Sequence, residues 1–367
     1  MKSNISLSPN IAQNCNRQPK LSSGLKKIFG LILLLIPYLL YVGFVIKTNQ
    51  GPVDYETFMD IGQRFIEGTQ VYGENSYYPM PFVLIFAFFS WLPRPISITI
   101  WLLAPVIFAI IIFKGNPLIL LFAPLFSHFV GGQTSLFGML GFWGYRKFID
   151  PNKAFGGILL SLTLLKPQLG LVPLIYAIIQ WYLELKKHKR ICVQAWACII
   201  STILIYLPCF IIFPNWVAHW LNNPRPLFER AMSGFIPRTL LYIFHSETVI
   251  YWLSLSILSI FLFIGLWFLN GKSLTLDLAV IGSFIVNPLV HDYDIIELIP
   301  LLDTPLRIWL AVLSSIPGWL VIIFAYSNDH AWYVYSIIAP FILFAILYPT
   351  LFKNEKAPII TEHKMNK

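Results

Sequence analysis

Long apolar segments, separated by short polar or basic stretches, run along almost the whole chain. They lie at 28–46, 80–93, 95–113, 117–130, 133–148, 154–165, 168–183, 191–213, 248–269, 274–289, 292–303, 306–325 and 331–352. A helix that crosses a bilayer needs about 20 apolar residues. The pattern therefore predicts an all-α, polytopic transmembrane helical bundle with about 11–13 membrane-embedded helices.

The composition supports a lipid environment. Of the 367 residues, 57% are hydrophobic and 12% are charged, whereas an average soluble chain has about 25% charged residues. The formal net charge is +9, but the basic residues lie in short clusters between apolar segments, as signals of membrane topology do. We therefore expect contact with membrane lipid and no nucleic-acid partner.

Several of the apolar segments are too short to span a membrane alone, notably 117–130, 154–165 and 292–303. Short segments interrupted by Pro or Gly are tolerated at membrane depth only against protein or a water-filled cavity. Their presence predicts a polar cavity within the bundle.

The basic clusters predict the orientation in the cell membrane, because cytoplasmic loops are enriched in Lys and Arg. The clusters assigned to the cytoplasm are Lys26 and Lys27, Arg94, Arg146 with Lys147 and Lys153, residues 186–190, Lys272, Arg307, and Lys353 with Lys356. All of them can be cytoplasmic only if 117–130 is re-entrant or a paired half-helix. This assignment makes 1–27 a cytoplasmic leader, 28–352 one transmembrane domain, and 353–367 a cytoplasmic tail. Both termini are then cytoplasmic, and loops 48–79 and 214–245 are exterior.

Loop 48–79 contains a helical pattern. Phe58, Ile61, Phe65 and Ile66 recur at helical spacing, which predicts a short amphipathic helix at the membrane surface that ends at Gly68. Asp54 stands at the start of this helix. Its carboxylate suits either a general base that accepts a proton from a hydroxyl or a helix N-cap, and the two roles are compatible.

Lys166 interrupts an apolar stretch and precedes Pro167. A lysine near bilayer depth is costly, so it indicates function by default. Its ammonium, together with the backbone groups that Pro167 frees, suits a phosphate. The alternative is a lysine whose amine reaches the membrane interface.

Residues 287–294 form a dense polar stretch between two apolar segments. His291 suits a proton shuttle or a donor to a phosphate oxygen. The alternative is a polar turn in which Asp292 caps the next helix.

Two further groups of residues are candidates. In the turn Gly131-Gly132-Gln133, Gln133 suits hydrogen bonding to a ligand, although a simple hairpin turn explains the glycines equally well. Arg225, Arg230 and Arg238 lie in the predicted exterior loop. Their guanidinium groups suit a diphosphate or lipid phosphate, and contact with lipid headgroups is the alternative.

These pieces, in this order, resemble the family-87 glycosyltransferases, which are polytopic enzymes of the GT-C class. The stretches that carry the resemblance are Asp54-Tyr55 followed by Phe65 to Tyr72, Tyr77-Tyr78-Pro79-Met80-Pro81, Gly132-Gln133-Thr134, Gly156-Gly157 through Lys166-Pro167-Gln168, and Asn287-Pro288 to Asp292-Tyr293. Met80 replaces one Pro of the family's pattern, and Ser135 stands where Asn is usual. The match covers about residues 28–305.

The resemblance implies an inverting hexosyltransferase that uses a polyprenyl-phosphate sugar, usually mannose, and acts on the hydroxyl of a glycolipid or glycan acceptor outside the cytoplasm. By position, Asp54 is the base. Lys166 and His291, with Arg238, hold the donor phosphate, and Tyr78 and Gln133 line the sugar pocket. The resemblance also implies a monomer that needs no metal or other cofactor.

Two other classes of function fit the sequence. A transporter or lipid flippase is compatible with broken helices and polar groups near the membrane midplane, but no paired repeat of the kind common in transporters is evident. A non-catalytic membrane scaffold is compatible with the apolar segments, yet it gives no reason for Asp54, Lys166 and His291 to face one side.

Overall fold

The computed structural model describes residues 23–73, 76–222, 234–324 and 329–352. In these ranges the chain is helical. The α-helices are α1 (Ser23–Thr48), α2 (Val53–Ile66), α3 (Met80–Trp91), α4 (Arg94–Ile112), α5 (Ala123–Gly131), α6 (Leu136–Lys147), α7 (Ala154–Thr163), α8 (Pro167–His188), α9 (Val193–Ile212), α10 (Trp216–Asn222), α11 (Phe235–Phe244), α12 (Val249–Leu269), α13 (Leu276–Val286), α14 (Pro305–Ser314), α15 (Ile316–Phe324) and α16 (Ile338–Phe352). Within the described ranges, 3-10 helices cover Pro117–Leu121, Asp292–Leu301 and Asp329–Ile337.

The long helices are those expected of a multi-pass membrane protein. Within the described ranges, 7 helices are long and apolar enough to cross a membrane: Gly24–Thr48, Arg94–Ile112, Pro167–His188, Val193–Ile212, Val249–Leu269, Pro305–Phe324 and Tyr333–Phe352. Large apolar side chains on them face outwards, including Leu40 (68% exposed), Leu204 (69%) and Phe261 (66%). Lipid is the solvent that accepts such a surface. The predicted all-α, polytopic helical bundle is confirmed.

The predicted helix in loop 48–79 is present as α2, and its apolar face packs against α3. Phe58 is fully buried and its ring stacks on Phe86, with 4.6 Å between centroids. The Ser90 hydroxyl donates to the Met59 carbonyl over 2.8 Å, whereas Gly62, further along α2, packs against the backbone of the earlier residue Phe86, so α2 and α3 run antiparallel. Gly68, just after the helix, has a φ of +68°, which suits glycine and allows the helix to end there.

The assignment of Arg94 to the side opposite loop 48–79 is wrong. The Arg94 guanidinium pairs with the Glu56 carboxylate in the first turn of α2. It also donates to the carbonyl of Asn49, just after α1. Arg94 therefore lies at the same end of the bundle as Asp54, and the chain reverses through the α2–α3 hairpin without changing sides.

Segment 117–130 also differs from the prediction of a re-entrant or half-length element. It is broken at Phe122 into the 3-10 helix Pro117–Leu121 and α5. However, Pro117 packs on Gly30 near the start of α1, whereas Gly132 packs on Pro52 just beyond the end of α1. The segment therefore runs along most of the length of α1. With Arg94 at the Asp54 end, the charge pattern no longer requires this segment to turn back.

In its described residues, the predicted exterior loop 214–245 contains two helices, α10 and α11, which the search for long apolar segments did not predict. The Trp220 indole in α10 donates to the Tyr77 carbonyl over 2.9 Å, so α10 lies beside the entry to α3. Arg225 and Arg230 lie outside the described residues. Residues 1–22 of the predicted leader and the predicted tail 353–367 lie outside them too.

A network of ion pairs joins three helices at the end of the bundle opposite Asp54. Arg146, in the last turn of α6, pairs with Asp277 in α13 over 2.9 Å and with Asp303 over 2.5 Å. Arg307 in α14 pairs with the same two carboxylates, each over 3.0 Å. We call these four residues the basal ion-pair network. It offsets two of the charges on which the orientation was predicted.

The glycines of α7 permit its close contact with α9. A Cβ on Gly157 would overlap the backbone carbonyl of Gln194, which cannot move aside as a flexible side chain can. Small residues commonly allow such close approach between membrane helices. Gly156 and Gly157, which the resemblance picked out, therefore have a packing role.

We expect Gly157→Ala to lower the stability of the folded protein by about 1–3 kcal/mol, because α7 and α9 must separate. Gly265→Ala is the matched control, since a Cβ there meets nothing within 4 Å. It should be neutral or stabilising by up to about 1 kcal/mol. Thermal unfolding in detergent measures both, and equal midpoints for the two variants would contradict the close contact.

Candidate active site

Four segments that are distant in sequence meet near the start of α2. They are the first turn of α2, the turn between α5 and α6, the start of α8 and the start of the 3-10 helix 292–301. They contribute Asp54, Gln133, Lys166, His291 and Asp294, which we call the polar cluster. Four of these five residues were candidates from the sequence.

Asp54 is oriented by Gln133. Asp54 is the second residue of α2, whose N-cap is Pro52, so the prediction that Asp54 is the N-cap is wrong. Its carboxylate instead accepts a hydrogen bond from the Gln133 side-chain amide. Burial raises the pKa of Asp54 to about 6, and the positive charge of Lys166 opposes this shift. Near neutral pH the carboxylate is thus ionised but only moderately stabilised, as a general base requires.

The turn that carries Gln133 is fixed by its backbone. Gly132 has a φ of +67° and closes α5, and the Trp101 indole donates to the Gly132 carbonyl over 2.7 Å. A Cβ on Gly132 would crowd Tyr55, one residue beyond Asp54. The glycine thus makes the turn and also lets it approach α2, as the hairpin interpretation requires, whereas hydrogen bonding of Gln133 to a ligand stays a prediction.

Lys166 is not free. It is only 6% exposed, and its ammonium pairs with the fully buried carboxylate of Asp294. It also donates to the Ser135 hydroxyl over 3.2 Å, and Ser135 in turn donates to Asp294. A lysine that reaches the membrane interface would not be paired inside the protein, so that alternative is wrong. Removing one member of such a buried pair leaves an uncompensated charge.

His291 precedes the 3-10 helix 292–301 and is its N-cap, so Asp292 is not the cap. Asp292 accepts a hydrogen bond from Ser127 instead. The His291 amide donates to Asp294 over 3.0 Å, and its ring stacks on Tyr293 with 4.8 Å between centroids. Burial lowers the pKa of His291 to about 4. At neutral pH, His291 can therefore donate a hydrogen bond to an anion but carries no positive charge.

Tyr78 borders the polar cluster. Its ring packs edge-on against Phe58, with centroids 4.9 Å apart. Burial, together with the negative charges of Asp54 and Asp294, raises the pKa of its phenol, which places the hydroxyl within the electrostatic reach of both carboxylates. Tyr78 therefore remains a neutral hydroxyl able to contact a polar ligand.

Arg238 lies elsewhere. It is 7% exposed in the first turn of α11, and its guanidinium sits 3.1 Å from the ring centroid of Tyr333. The neighbouring groups that influence it electrostatically are tyrosines rather than Asp54 or Lys166. Gly234, at the N-cap of α11, approaches the Asn287 carbonyl, so this helix begins near the stretch that leads to His291.

Sequence reasoning missed two buried ionisable residues behind the cluster. His128 in α5 and Glu297 in the 3-10 helix are each 1% exposed. An ionisable residue inside an apolar segment is a visible signal, since its burial is costly. Asp294 was noted only as part of a polar stretch, because its pairing with Lys166 joins residues far apart in sequence.

No family model matches the chain, and no curated protein or solved structure matches it. The helices themselves define the class, a multi-pass α-helical membrane protein. Within the described ranges, no group of three or more His, Cys, Asp or Glu side chains is arranged to hold a metal ion.

Proposed function

We propose that the protein is a membrane glycosyltransferase that moves a hexose, with inversion, from a polyprenyl-phosphate donor to the hydroxyl of a glycolipid or glycan acceptor. The observation that carries the proposal is the half-buried Asp54 carboxylate, oriented by Gln133 in one cluster with Lys166. The family resemblance supplies the donor class and mannose as the first sugar to test.

The chemistry assigns a role to each group. The acceptor oxygen attacks the anomeric carbon, and its proton passes to Asp54. The bond between the anomeric carbon and the phosphate oxygen breaks, and polyprenyl phosphate leaves with the electron pair. Lys166 and neutral His291 stabilise the charge that develops on the phosphate. Lys166 must then share its ammonium between Asp294 and the phosphate, since the two anions compete for it.

Arg238 fits the same donor at a greater distance. The Arg238 guanidinium, which lies at the start of α11 and packs on Tyr333, suits a phosphate oxygen next to the polyprenyl chain or the phosphate of a lipid headgroup. The orientation that we propose puts the basal ion-pair network and both termini in the cytoplasm. The polar cluster and Arg94 then face the extracytoplasmic side of the cell membrane.

Mass spectrometry of products tests the proposal directly. Purified protein in proteoliposomes receives a polyprenyl-phosphate hexose and a mixture of glycolipid acceptors, with sugar-nucleotide donors as controls. We expect a hexose-sized mass increase on an acceptor and release of polyprenyl phosphate. Movement of an intact lipid-linked sugar across the bilayer without covalent transfer would favour a flippase instead.

The pH profile of transfer follows from Asp54. Only the ionised carboxylate accepts a proton, and the pKa of Asp54 is raised to about 6. We therefore expect kcat/KM to rise about tenfold per pH unit below that value and to level off between that value and neutral pH. A profile that is flat between mildly acidic and neutral pH would contradict Asp54 as the base.

A further inference from the structure

Glu297 is a buried carboxyl group that lacks a partner among the described residues. It is 1% exposed, and neither side-chain oxygen has a hydrogen-bond donor. It packs directly against Gly138 of α6, where even a Cβ would overlap its carboxyl group. Buried polar atoms are nearly always paired, so an unpaired acid requires an explanation.

The geometry of the 3-10 helix connects Glu297 to the polar cluster. Side chains three residues apart eclipse one another in a 3-10 helix. Asp294 and Glu297 therefore lie on one face, where Asp294 contacts Ser135 at the N-cap of α6 and Glu297 contacts Gly138 within α6. Glu297 lies one turn deeper than the Lys166–Asp294 pair and feels the charge of both residues.

Among the side chains that the structure describes, none on a neighbouring element pairs with Glu297. The nearby cation, Lys166, already pairs with Asp294. On α5, His128 is also fully buried, and neither of its ring nitrogens has a partner in the described chain. A neutral imidazole of this kind can donate a hydrogen bond but does not balance a charge.

Two other helices that contact the 3-10 helix, α4 and α13, have their charged side chains in ion pairs. On α13, Asp277 pairs with Arg146, and on α4, Arg94 pairs with Glu56. Helix 329–337 contributes the buried phenol of Tyr335, while the side chains of Asp329 and His330 lie outside the described set. An ionised carboxylate in such surroundings is far costlier than the neutral acid.

We propose that Glu297 is a proton-binding site that holds its carboxyl neutral in the resting protein. With that proton bound, Lys166 and Asp294 balance each other. Loss of the proton gives the group formed by Lys166, Asp294 and Glu297 a net negative charge. Ionisation of Glu297 also weakens binding of the donor phosphate, because it adds a negative charge beside Lys166. This effect on binding rests on the proposed function.

Infrared spectroscopy on protein labelled with carbon-13 at the glutamate side-chain carboxyl tests the site itself. The wild-type protein in bilayers should show, at neutral pH, the carbonyl band of a protonated acid that shifts with the label and disappears at alkaline pH. Glu297→Gln should lack this band. Glu184→Gln, a partly exposed acid paired with His188 on α8, should retain it. If the labelled wild type shows no such band, the proposal is overturned, whether or not the variant folds.

Binding of polyprenyl phosphate provides the second readout. In the wild type we expect affinity to fall about tenfold across the pH range in which the band disappears. In Glu297→Gln this fall should be absent. A titrating band together with no phosphate binding at any pH would leave the proton site standing and refute the proposed donor. Binding of polyprenyl phosphate without the band of a protonated acid would refute the proton site and leave the proposed donor standing.

Discussion

Replacing Asp54 with Asn is expected to reduce hexose transfer by about 10²–10⁴-fold while leaving the protein folded. Asn keeps the shape of the side chain and an oxygen that can accept the Gln133 amide proton, so the local structure should persist. It cannot take the proton of the acceptor hydroxyl. The loss should therefore appear in kcat, with binding of the polyprenyl-phosphate donor little changed.

Asp60→Asn is the matched control for this experiment. Asp60 lies on the same helix, is largely exposed, and pairs with Arg64 over 2.6 Å. An exposed pair of this kind contributes about 0–1 kcal/mol, so transfer should stay near wild type. If Asp54→Asn transferred hexose at the wild-type rate, another group would have to be the base, or the reaction would be of a different class.

The largest effect on stability is expected for Lys166→Met. This change removes the ammonium and leaves the fully buried Asp294 carboxylate without its counter-charge. Breaking a buried pair from one side typically costs about 3–5 kcal/mol. We expect a large drop in the unfolding midpoint in detergent, together with loss of transfer. Lys187→Met, an exposed position on the same helix, should change neither quantity.

The double variant Lys166→Met with Asp294→Asn separates the two consequences. Because the uncompensated charge is then absent, much of the lost stability should return. Transfer should not return, since the proposed partner of the phosphate is still missing. Recovery of transfer in the double variant would show that Lys166 acts only on the fold. A Lys166→Met protein as stable as wild type would contradict a stabilising ion pair between Lys166 and Asp294.

The positions of most helices could be predicted from the sequence because a helix placed in a membrane requires a local run of apolar residues. The side on which Arg94 lies could not. A charge-based rule treats every Arg as a free cation, whereas Arg94 is paired with Glu56. Once that pair is known, segment 117–130 no longer has to turn back, so a single long-range contact corrected two predictions.

The residues of the candidate site were easier to predict than their arrangement. Asp54, Lys166 and His291 were visible as polar groups beside apolar segments. The Lys166–Asp294 pair was not, because its partners are 128 residues apart and no local pattern relates them. Glu297 was overlooked although it interrupts an apolar run, since its segment was judged by length and not residue by residue.

The attachment of α6 to the 3-10 helix 292–301 bears on how the long-chain donor of the proposed function would reach the polar cluster. One end of this pair is fastened by Ser135 and Asp294. The other is fastened by Arg146, which donates to the Pro300 carbonyl over 3.1 Å and pairs with Asp303. Because α6 and the 3-10 helix 292–301 are joined at both ends, we expect them to move as one rigid unit. We therefore expect the lipid tail of the proposed donor to reach the polar cluster without separating α6 from the 3-10 helix 292–301.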